Sequence, residues 1–263
     1  MKAAPIRIIV SGCTGRMGSL IIEEAAKDLA HFELVGGLEY KTHAQAGQPL
    51  PGHPNIPIST DLKHLLSKAD LLIEFTTPEA SITHAQAAAE AKIPMIIGTT
   101  GFSADQFKQL RSCSKKTPIF WSPNMSIGIV IVRRTIASIS QLLFNFGLAE
   151  QTRVGISETH HTRKKDKPSG TAKALAEELL KATGWLIKDE EIEAKREGDV
   201  IGIHSVTFQL AAEKIMLQHE AIDRRVFAQG ALLVARNFMP LCKKPGWYGM
   251  DDFVNAMQKV KTR

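Results

Sequence analysis

Cysteine is scarce in this sequence. Three cysteines, Cys13, Cys113 and Cys242, occur among 263 residues, and they are odd in number and widely spaced. The chain therefore carries neither the paired cysteines of a disulfide framework nor a Cys-x-x-Cys metal or redox motif. Proteins without disulfides are typical of reducing compartments, so we expect this protein in the cytoplasm.

Long apolar runs are also missing. No stretch of the sequence approaches the about 20 consecutive apolar residues that span a bilayer. The opening MKAAPIRIIVSG lacks the long apolar segment and cleavage site of a secretory signal. No internal repeat or low-complexity tract is present. We therefore expect a soluble globular protein with no membrane partner.

Aromatic residues make up 6% of the chain, and the net charge is +6, from 33 Lys and Arg against 27 Asp and Glu. A basic balance suits nucleic acid, anionic lipid or an anionic small molecule. The sequence shows no helix-turn-helix pattern and no basic surface interleaved with aromatic residues, so no nucleic acid partner is expected. The cations concentrate in one short segment, which favours a small anionic ligand.

The chain is long enough for two domains, since a single domain usually holds roughly 100–150 residues. From Ile6 to about Trp121, short apolar runs alternate with Ala-rich helical segments, the pattern of a parallel sheet buried on both faces. The sequence thus predicts a Rossmann-like, doubly wound α/β dinucleotide-binding domain over residues 1–127. Its predicted strands are 6–10, 32–38, 70–75, 94–98 and 118–121.

The pattern changes after Ile127. Three helices are predicted. The first extends to about residue 146, and the third covers 225–237. The second contains apolar residues between 172 and 180 with the spacing i, i+3, i+4, i+7, i+8. Strands are predicted over 153–160, 203–210 and 214–221. These elements predict a smaller α+β domain, over 128–237, for substrate binding and oligomerisation. Residues 238–263, with a terminal helix over 249–261, are expected to pack back on the first domain.

A glycine-rich turn follows the first predicted strand and opens a helix. Its glycines have the spacing Gly-x-x-Gly-x-x-Gly, which lets the backbone approach a pyrophosphate at a helix N-terminus. A plain strand-to-helix turn has the same spacing, but the strand–turn–helix context favours a cofactor site. The residues expected to contact the cofactor here are Gly12, Cys13, Thr14, Gly15, Arg16 and Met17.

Glu39 ends the second predicted strand, where a carboxylate accepts hydrogen bonds from the adenosine ribose hydroxyls. Glu39 favours NADH, whereas the nearby Lys41 could meet the 2′-phosphate of NADPH, so both cofactors stay open. One loop follows the fourth predicted strand and another follows the fifth. Each could be a plain turn, and together they could line a nicotinamide pocket. The residues expected to line it are Gly98, Thr99, Thr100, Ser122, Pro123, Asn124 and Met125.

The most informative segment runs from Glu158 to Ala172 and joins a predicted strand to a predicted helix. Four cations and two histidines lie within eight residues of it, and His160 and Lys164 are four apart. Cations beside an imidazole favour its neutral form, which suits proton transfer. The following helix begins at the Ser-Gly-Thr of residues 169–171, whose amides and hydroxyls can bind an anion. Charge-assisted hydrogen bonds contribute roughly 1.5–3 kcal/mol each, so several of them hold a dicarboxylate.

Two other kinds of chemistry are disfavoured. Adjacent residues on a strand point to opposite faces, and no His-Glu-x-x-His motif or Cys/His cluster is present, so no metal is expected. A thioester mechanism needs a cysteine in the loop after the fifth strand, where Asn124 is followed by Met125. The segment thus favours hydride and proton transfer without a covalent intermediate.

The motifs together resemble the 4-hydroxy-tetrahydrodipicolinate reductase (dihydrodipicolinate reductase) family, nearly from end to end. The resemblance is most specific in the segment from Glu158-Thr159-His160-His161 to Ser169-Gly170-Thr171-Ala172. It is also carried by residues 12–18, 74–76, 98–102, 124–128, 219–221 and 227–232.

The resemblance implies an NADPH- or NADH-dependent oxidoreductase of lysine and diaminopimelate biosynthesis. Its reaction is the reduction of a cyclic imine dicarboxylate, derived from 4-hydroxy-tetrahydrodipicolinate, to tetrahydrodipicolinate. It further implies a homo-oligomer, in this family a tetramer. By motif position, His160 is the proton donor or acceptor and Lys164 the proton donor. The implied substrate contacts are His161, Ser169, Gly170 and Thr171.

Two alternatives stay open on the residues alone. Another Rossmann-type reductase or an amino-acid dehydrogenase has a similar N-terminal half, and substrate profiling separates these enzymes. A dinucleotide-sensing regulator is the remote alternative, and it requires nucleic-acid binding with steep salt dependence.

Overall fold

The computed structural model describes residues 4–260. The chain divides into two compact units. Unit 1 comprises Met1–Met125 and Phe227–Arg263, and unit 2 comprises Ser126–Val226.

The elements of both units are as follows in chain order. The strands are β1 Ile6–Ser11, β2 Phe32–Leu38, β3 Pro49–Leu50, β4 His53–Ser59, β5 Leu71–Glu74, β6 Met95–Ile97, β7 Pro118–Trp121, β8 Arg153–His160, β9 Glu193–Arg196, β10 Ile203–Gln209, β11 Lys214–Glu220 and β12 Gly246–Tyr248. The α-helices are α1 Arg16–Ala26, α2 Leu62–Leu66, α3 Pro78–Ala91, α4 Ala104–Cys113, α5 Ile127–Asn145, α6 Gly170–Thr183, α7 Arg225–Asn237 and α8 Met250–Val260.

Unit 1 is built on a sheet with the strand order β12-β7-β6-β5-β1-β2-β4-β3. Every neighbouring pair in it is parallel except β3 with β4. The side chains of β5 and β6 are buried throughout, and Ile8, Ile9 and Val10 of β1 are fully buried. Strands buried on both faces are what the continuous apolar runs predicted. The predicted doubly wound α/β fold is confirmed.

The chain order of the strands reverses between β1 and β5. From β1 the chain continues to β2 on one side, and β5, β6 and β7 follow on the other side. In doubly wound sheets this switch point opens a crevice at the carboxyl ends of the strands, where ligands bind. The glycine turn after β1 and Glu74 at the end of β5 both lie at this edge.

The glycine turn allows α1 to begin close to the end of β1. Gly12 has a positive φ of 69°, which glycine adopts without strain. A Cβ at Gly18, in the first turn of α1, would stand 2.0 Å from the carbonyl oxygen of Gly12. Glycine at both positions therefore permits the tight return of the chain from strand to helix.

Unit 2 is an α+β arrangement, as predicted. Its sheet has the order β11-β10-β8-β9, with β11, β10 and β8 antiparallel and β9 parallel to β8. Helices α5 and α6 pack together and bury their apolar residues with those of the sheet. Core residues from these elements include Ile136 and Leu143 of α5, Leu175 and Leu179 of α6, and Val206 and Phe208 of β10.

Among residues 4–260, α5 is the helix whose length and apolar composition would allow it to cross a membrane. In unit 2 one face of it packs into the core through Ile136 and Leu143, while Leu142 and Phe144 are exposed. Its Arg133 forms an ion pair of 2.7 Å with Glu178 of α6, and both side chains are largely buried.

Several short strands were not predicted from the sequence. The segment of β4 contains Pro54 and Pro57, and prolines are unusual inside strands. Strand β9 is Glu-Ala-Lys-Arg at the edge of its sheet, and β12 has three residues, so neither contains an apolar run. These strands exist because a neighbouring strand offers them free hydrogen-bonding groups.

The division of the chain differs from the predicted one at α7. The predicted second domain extended to residue 237, whereas unit 2 ends at Val226 and the rest of α7 belongs to unit 1. The reason is packing: Arg236 and Gln229 of α7 bond to Asp28 and Glu24 at 3.0 and 2.9 Å. The other boundary lies at residue 125, two residues before the predicted one.

A helix–backbone contact in unit 1 supplies a test of this packing. A Cβ at Gly230 of α7 would stand 1.8 Å from the carbonyl oxygen of Met125. We expect Gly230→Ala to destabilise the protein by about 1–3 kcal/mol or more, because backbone atoms must shift. The midpoint of thermal unfolding should fall by roughly 2–10 °C.

Gly155→Ala is the matched control for this substitution. Gly155 lies in β8, and a Cβ there meets nothing within 4 Å. Its unfolding midpoint should stay close to that of the wild type. Equal midpoints for the wild type and Gly230→Ala would contradict the close contact.

Candidate functional site

The predicted cofactor residues lie at the carboxyl edge of the unit 1 sheet. Gly15 is the residue before α1, and its amide donates to the carbonyl oxygen of Gly12 at 2.9 Å. The first amides of a helix have no partner within the helix, and the helix dipole adds partial positive charge there. Arg16 and Met17 begin α1, so the turn has the geometry of an anion-binding helix N-terminus.

Glu39 contacts the glycine turn directly. Its Oε1 accepts hydrogen bonds from the amide and the hydroxyl of Thr14, at 3.0 and 2.8 Å. The Nε2 atom of His43 lies 3.2 Å from the same hydroxyl. The carboxylate predicted to bind ribose hydroxyls is therefore held beside the predicted pyrophosphate turn.

The thiol of Cys13 is buried beneath this turn. Burial, with the Glu39 carboxylate as the next cause, raises the pKa of Cys13 to about 12. The thiol therefore stays protonated at neutral pH, and a protonated thiol is a poor nucleophile.

The loops after β6 and β7 lie along the same edge. Thr99 is buried and Thr100 exposed, while Ser122 donates from its hydroxyl to the carbonyl oxygen of Asn124 at 2.6 Å. The indole nitrogen of Trp121 donates to the carbonyl oxygen of Thr99 at 3.1 Å and links the two loops. The remaining predicted cofactor residues, Gly98, Pro123 and Met125, belong to these two loops.

A buried glutamate joins these loops, and sequence reasoning gave it no role in the site. Glu74, fully buried at the end of β5, accepts from the hydroxyls of Thr76 and Ser81 and lies 2.7 Å from Nδ1 of His84. Ser81 also bonds to Thr99 at 2.9 Å. The sequence feature that could have identified it is a glutamate inside the apolar run Leu-Leu-Ile-Glu-Phe, because a buried carboxylate needs hydrogen-bond partners.

The predicted catalytic histidine lies in unit 2, at the end of β8. Buried and exposed residues alternate along this strand, so Ile156, Glu158 and His160 share the buried face. Glu158 is 2% exposed and His160 is 7% exposed. The strand thus places a carboxylate and an imidazole side by side in the interior of unit 2.

The two oxygens of Glu158 have different surroundings. Oε1 accepts from the amide of Ser169 at 3.0 Å and from the guanidinium of Arg196 at 3.3 Å. Oε2 lies 3.5 Å from Nδ1 of His160 and 3.7 Å from Nε2 of His204. His204 stands opposite Glu158 in the β8–β10 register, and its ring meets the His160 ring edge-on at 4.9 Å.

Burial is the main influence on the protonation of these histidines. It lowers the pKa of His160 to about 4, with help from Lys164 and Arg196, while Glu158 opposes the change. It also lowers the pKa of His204 to about 3, helped by His160. Both imidazoles are therefore neutral at pH 7. The sequence had predicted a neutral imidazole from the neighbouring cations, but desolvation contributes more.

Lys164 lies in an ordered loop beside this cluster. Its ammonium is 2.8 Å from the carboxylate of Asp166, and its side chain is partly exposed. Arg196 donates to the carbonyl oxygens of Lys164 and Asp166, so one guanidinium fixes both the loop and Glu158. The side chain of the predicted proton donor is thus held in place by Asp166 and still reached by solvent.

The start of α6 is placed as predicted, at Gly170. Ser169 is buried, and its hydroxyl accepts from the amide of Ala172 at 3.2 Å and lies 3.3 Å from Nε2 of His204. Its hydroxyl is therefore engaged inside the protein, whereas Gly170 is exposed and His161 and Thr171 are half-buried. The predicted cofactor residues all lie in unit 1, and the predicted catalytic and substrate residues all lie in unit 2.

Glu158, His160 and His204 also have the composition of a three-ligand metal site, with ligand atoms within 4.8 Å of one another. Arg196 bonds to the same carboxylate, and the Lys164 ammonium acts on both imidazoles. These fixed positive charges repel a metal cation.

Sequence reasoning also assigned no role to Glu158, Arg196 and His204. Glu158 could have been found from the two-residue period of a strand, which puts it on the same face as His160. Arg196 and His204 come from β9 and β10, and only strand pairing brings them to Glu158. No local sequence signal identifies them.

Comparison with known proteins gives the relationship of the chain. A family described as dihydrodipicolinate reductase, N-terminus, matches residues 6–125, and its C-terminal counterpart matches residues 128–254. A 4-hydroxy-tetrahydrodipicolinate reductase of Desulfovibrio desulfuricans is 37% identical, over 93% of this chain and 98% of the relative. One of Archaeoglobus fulgidus is 35% identical, over 95% of this chain and 100% of the relative.

Solved structures agree on the fold. A dipicolinate-bound dihydrodipicolinate reductase from Paenisporosarcina sp. TG-14 superposes with a TM-score of 0.71 at 23% identity, covering 93% of this chain and 98% of that one. With both halves matched by the family and relatives similar over nearly the whole length, this chain belongs to the dihydrodipicolinate reductase family.

Proposed function

We propose that His160 and Lys164 carry the proton transfers of this enzyme, and that the start of α6 holds its substrate. The protein is an NAD(P)H-dependent oxidoreductase of lysine biosynthesis that reduces the cyclic imine derived from 4-hydroxy-tetrahydrodipicolinate to tetrahydrodipicolinate. Family membership removes the alternatives of an amino-acid dehydrogenase and a regulator. The observation that supports the residue roles most directly is the buried Glu158–His160–His204 cluster beside Lys164.

The substrate is a dianion, and the start of α6 suits its carboxylates. The amides of Gly170 and Thr171 belong to the first turn of the helix, where the dipole favours negative charge. His161 and Lys164 lie in the loop that leads to this turn. Amides and a cation together bind a carboxylate more strongly than a neutral polar surface does.

The proton steps follow from the state of each group. The nicotinamide, when bound, supplies the hydride. Lys164 carries donor protons on a partly exposed side chain, whereas His160 is neutral at pH 7 because burial lowers its pKa. Lys164 is therefore a proton donor of the site, and His160 accepts a proton at the ring and passes it on to the substrate as the reaction proceeds.

The cofactor is held by the carboxyl edge of the unit 1 sheet. Residues 12–17 receive the pyrophosphate, Glu39 the adenosine ribose, and residues 98–100 and 122–125 the nicotinamide half. The position of Glu39 against Thr14 supports a preference for NADH, because its charge repels a 2′-phosphate. Residue Lys41 is exposed and is the group that would favour NADPH.

We place the enzyme in the cytoplasm as a homo-oligomer, by analogy with the tetramers of its family. The biosynthetic role and the three unpaired, buried cysteines support the compartment. Large apolar side chains on the surface of unit 2 support the assembly, among them Phe144, Phe146 and Met216, which are 60, 70 and 55% exposed.

The catalytic roles are tested by two substitutions. His160→Gln and Lys164→Ala should each lower kcat for imine reduction by about 10²–10⁴-fold, because each removes a positioned proton-transfer group. Absorbance of NADH and NADPH at steady state measures the rate, and titration of the dinucleotide should give unchanged affinity.

Lys165→Ala is the matched control for these variants, since Lys165 is an exposed cation in the same loop. It should keep the kcat of the wild type. If the wild type binds the dinucleotide but does not oxidise it with the imine while a control enzyme does, the proposed roles are wrong.

Cofactor preference is tested at the ribose site. We expect a lower KM for NADH than for NADPH, and Glu39→Gln should raise the KM for NADH by about 10-fold or more, since a charge-assisted hydrogen bond is lost. Lys41→Ala should leave the KM for NADH unchanged. An NADPH preference that disappears in Lys41→Ala would reverse this assignment.

The assembly is tested by light scattering coupled to size-exclusion chromatography. A tetramer has four times the 28.9 kDa mass of one chain. Phe146→Lys should shift the distribution towards smaller species, because it places a charge on an apolar surface. A monomeric wild type at micromolar concentration would contradict the proposed oligomer.

A further inference from the structure

The two ring nitrogens of His160 have different surroundings. Nδ1 is buried, points towards Glu158, and has no hydrogen-bond partner among the residues that the structure describes. Nε2 lies on the side of Gly202, where an ideal Cβ would be only 3.0 Å away, so any side chain at that position would crowd this nitrogen. One nitrogen therefore faces an acidic group of the protein, and the other lies beside a position that only glycine leaves uncrowded.

The oxygens of Glu158 are divided in the same way. Oε1 accepts from the Ser169 amide and from both terminal nitrogens of Arg196. Oε2 is buried and accepts no hydrogen bond in the described part of the chain. Its distance of 3.5 Å to Nδ1 of His160 is slightly longer than a hydrogen bond, and such contacts often tighten when substrate binds.

His204 does not compete with Glu158 for this role. Its ring meets His160 edge-on, and its Nε2 is nearest to the Ser169 hydroxyl, at 3.3 Å. His204 therefore packs against the imidazole of His160 and limits its rotation.

Electrostatic effects around His160 also give Glu158 a distinct role. Burial, and after it Lys164 and Arg196, disfavour the charged imidazole of His160. His204 lies against the ring, and His219 in turn acts on His204. Glu158 and, more weakly, Asp166 favour the charged form. Glu158 is the carboxylate nearest to the ring, so it is the group that lowers the free-energy cost of protonating His160 during the reaction.

We propose that Glu158 is a positioning residue of the reaction, which holds His160 through Nδ1 so that Nε2 exchanges the proton with the substrate. This inference rests on the proposed role of His160 and specifies how it is performed. The carboxylate acts through the histidine and does not touch the substrate.

The proton transfer balances without any further reactant. In the protonated ring, Nδ1–H donates to Oε2 of Glu158, and the Nε2–H bond breaks as its proton passes to the substrate. The electron pair of that bond stays on Nε2, which leaves a neutral ring with its hydrogen on Nδ1. Nε2 then takes up a proton from solvent, directly or through Lys164, which restores the protonated ring.

The first experiment compares Glu158→Gln with the wild type over pH 3–9, a range that includes the low pKa of His160. Loss of the carboxylate should lower kcat about 10-fold or more and move the pH limb that reports His160 to lower pH by about one unit or more, because the charged ring loses its partner. The KM for NADH should not change, since Glu158 lies in unit 2. Glu158→Asp should return the limb part of the way by restoring the charge.

The matched control is Glu193→Gln, the same chemical change on β9, next to β8. Glu193 is exposed and pairs with Lys195 at 3.0 Å. It should retain the kcat and pH profile of the wild type. If Glu158→Gln lowers activity and the unfolding midpoint but leaves the pH limb in place, Glu158 is only structural and the inference is overturned.

A second measurement uses the wild-type chain and does not depend on a variant folding. Nitrogen-15 chemical shifts of histidine, with His160 assigned by comparison with His160→Gln, report which nitrogen carries the hydrogen. We expect the Nδ1–H form at pH 7. A predominant Nε2–H form overturns the inference, even if His160→Gln is inactive. A fully active His160→Gln overturns the proposed role of His160 itself, and this inference with it.

Discussion

A carboxylate that is buried in a protein must be hydrogen-bonded or paired, because its desolvation otherwise costs several kcal/mol. Glu158 meets this requirement through Oε1, which accepts from the amide at the start of α6 and from the guanidinium of Arg196 on β9. Its Oε2 faces the imidazoles of His160 and His204 at 3.5 and 3.7 Å. The position of the helix that is proposed to bind substrate, the order of the Lys164 loop and the state of His160 all depend on this one buried charge.

Unit 1 contains a second buried glutamate with a comparable position. Glu74 ends β5 at the switch point of the sheet, and its partners Thr76, Ser81 and His84 connect it to the loops after β5 and β6 and to Ser11 at the end of β1. In each unit, a carboxylate at the end of a strand holds together segments that are distant in sequence. Because a buried carboxylate is destabilising without hydrogen-bond partners, the loops that supply those partners have a defined geometry before any ligand binds.

Elements with strong local patterns were predicted closely. Strand β8 and helix α7 have the predicted bounds, 153–160 and 225–237, because alternation in one and helical periodicity in the other are visible in the sequence. Strands β9 and β12 were missed, since a four-residue charged strand at a sheet edge has no pattern of its own. Helix α7 was correctly found but expected in the second domain, because its packing on Asp28 and Glu24 involves residues about 200 positions away.

The sequence by itself determined the doubly wound fold of the first half, the glycine turn with Glu39, and the histidine, lysine and Ser-Gly-Thr positions of the second half. Each of these is a local pattern, set by residues within one strand, turn or helix. Only the tertiary structure decided that Glu158 is shared by His160, His204 and Arg196, and that Ser169 turns its hydroxyl inward. Pairing between strand residues that are 36 to 56 positions apart in the sequence creates those contacts, and their energies depend on burial, which no local pattern specifies.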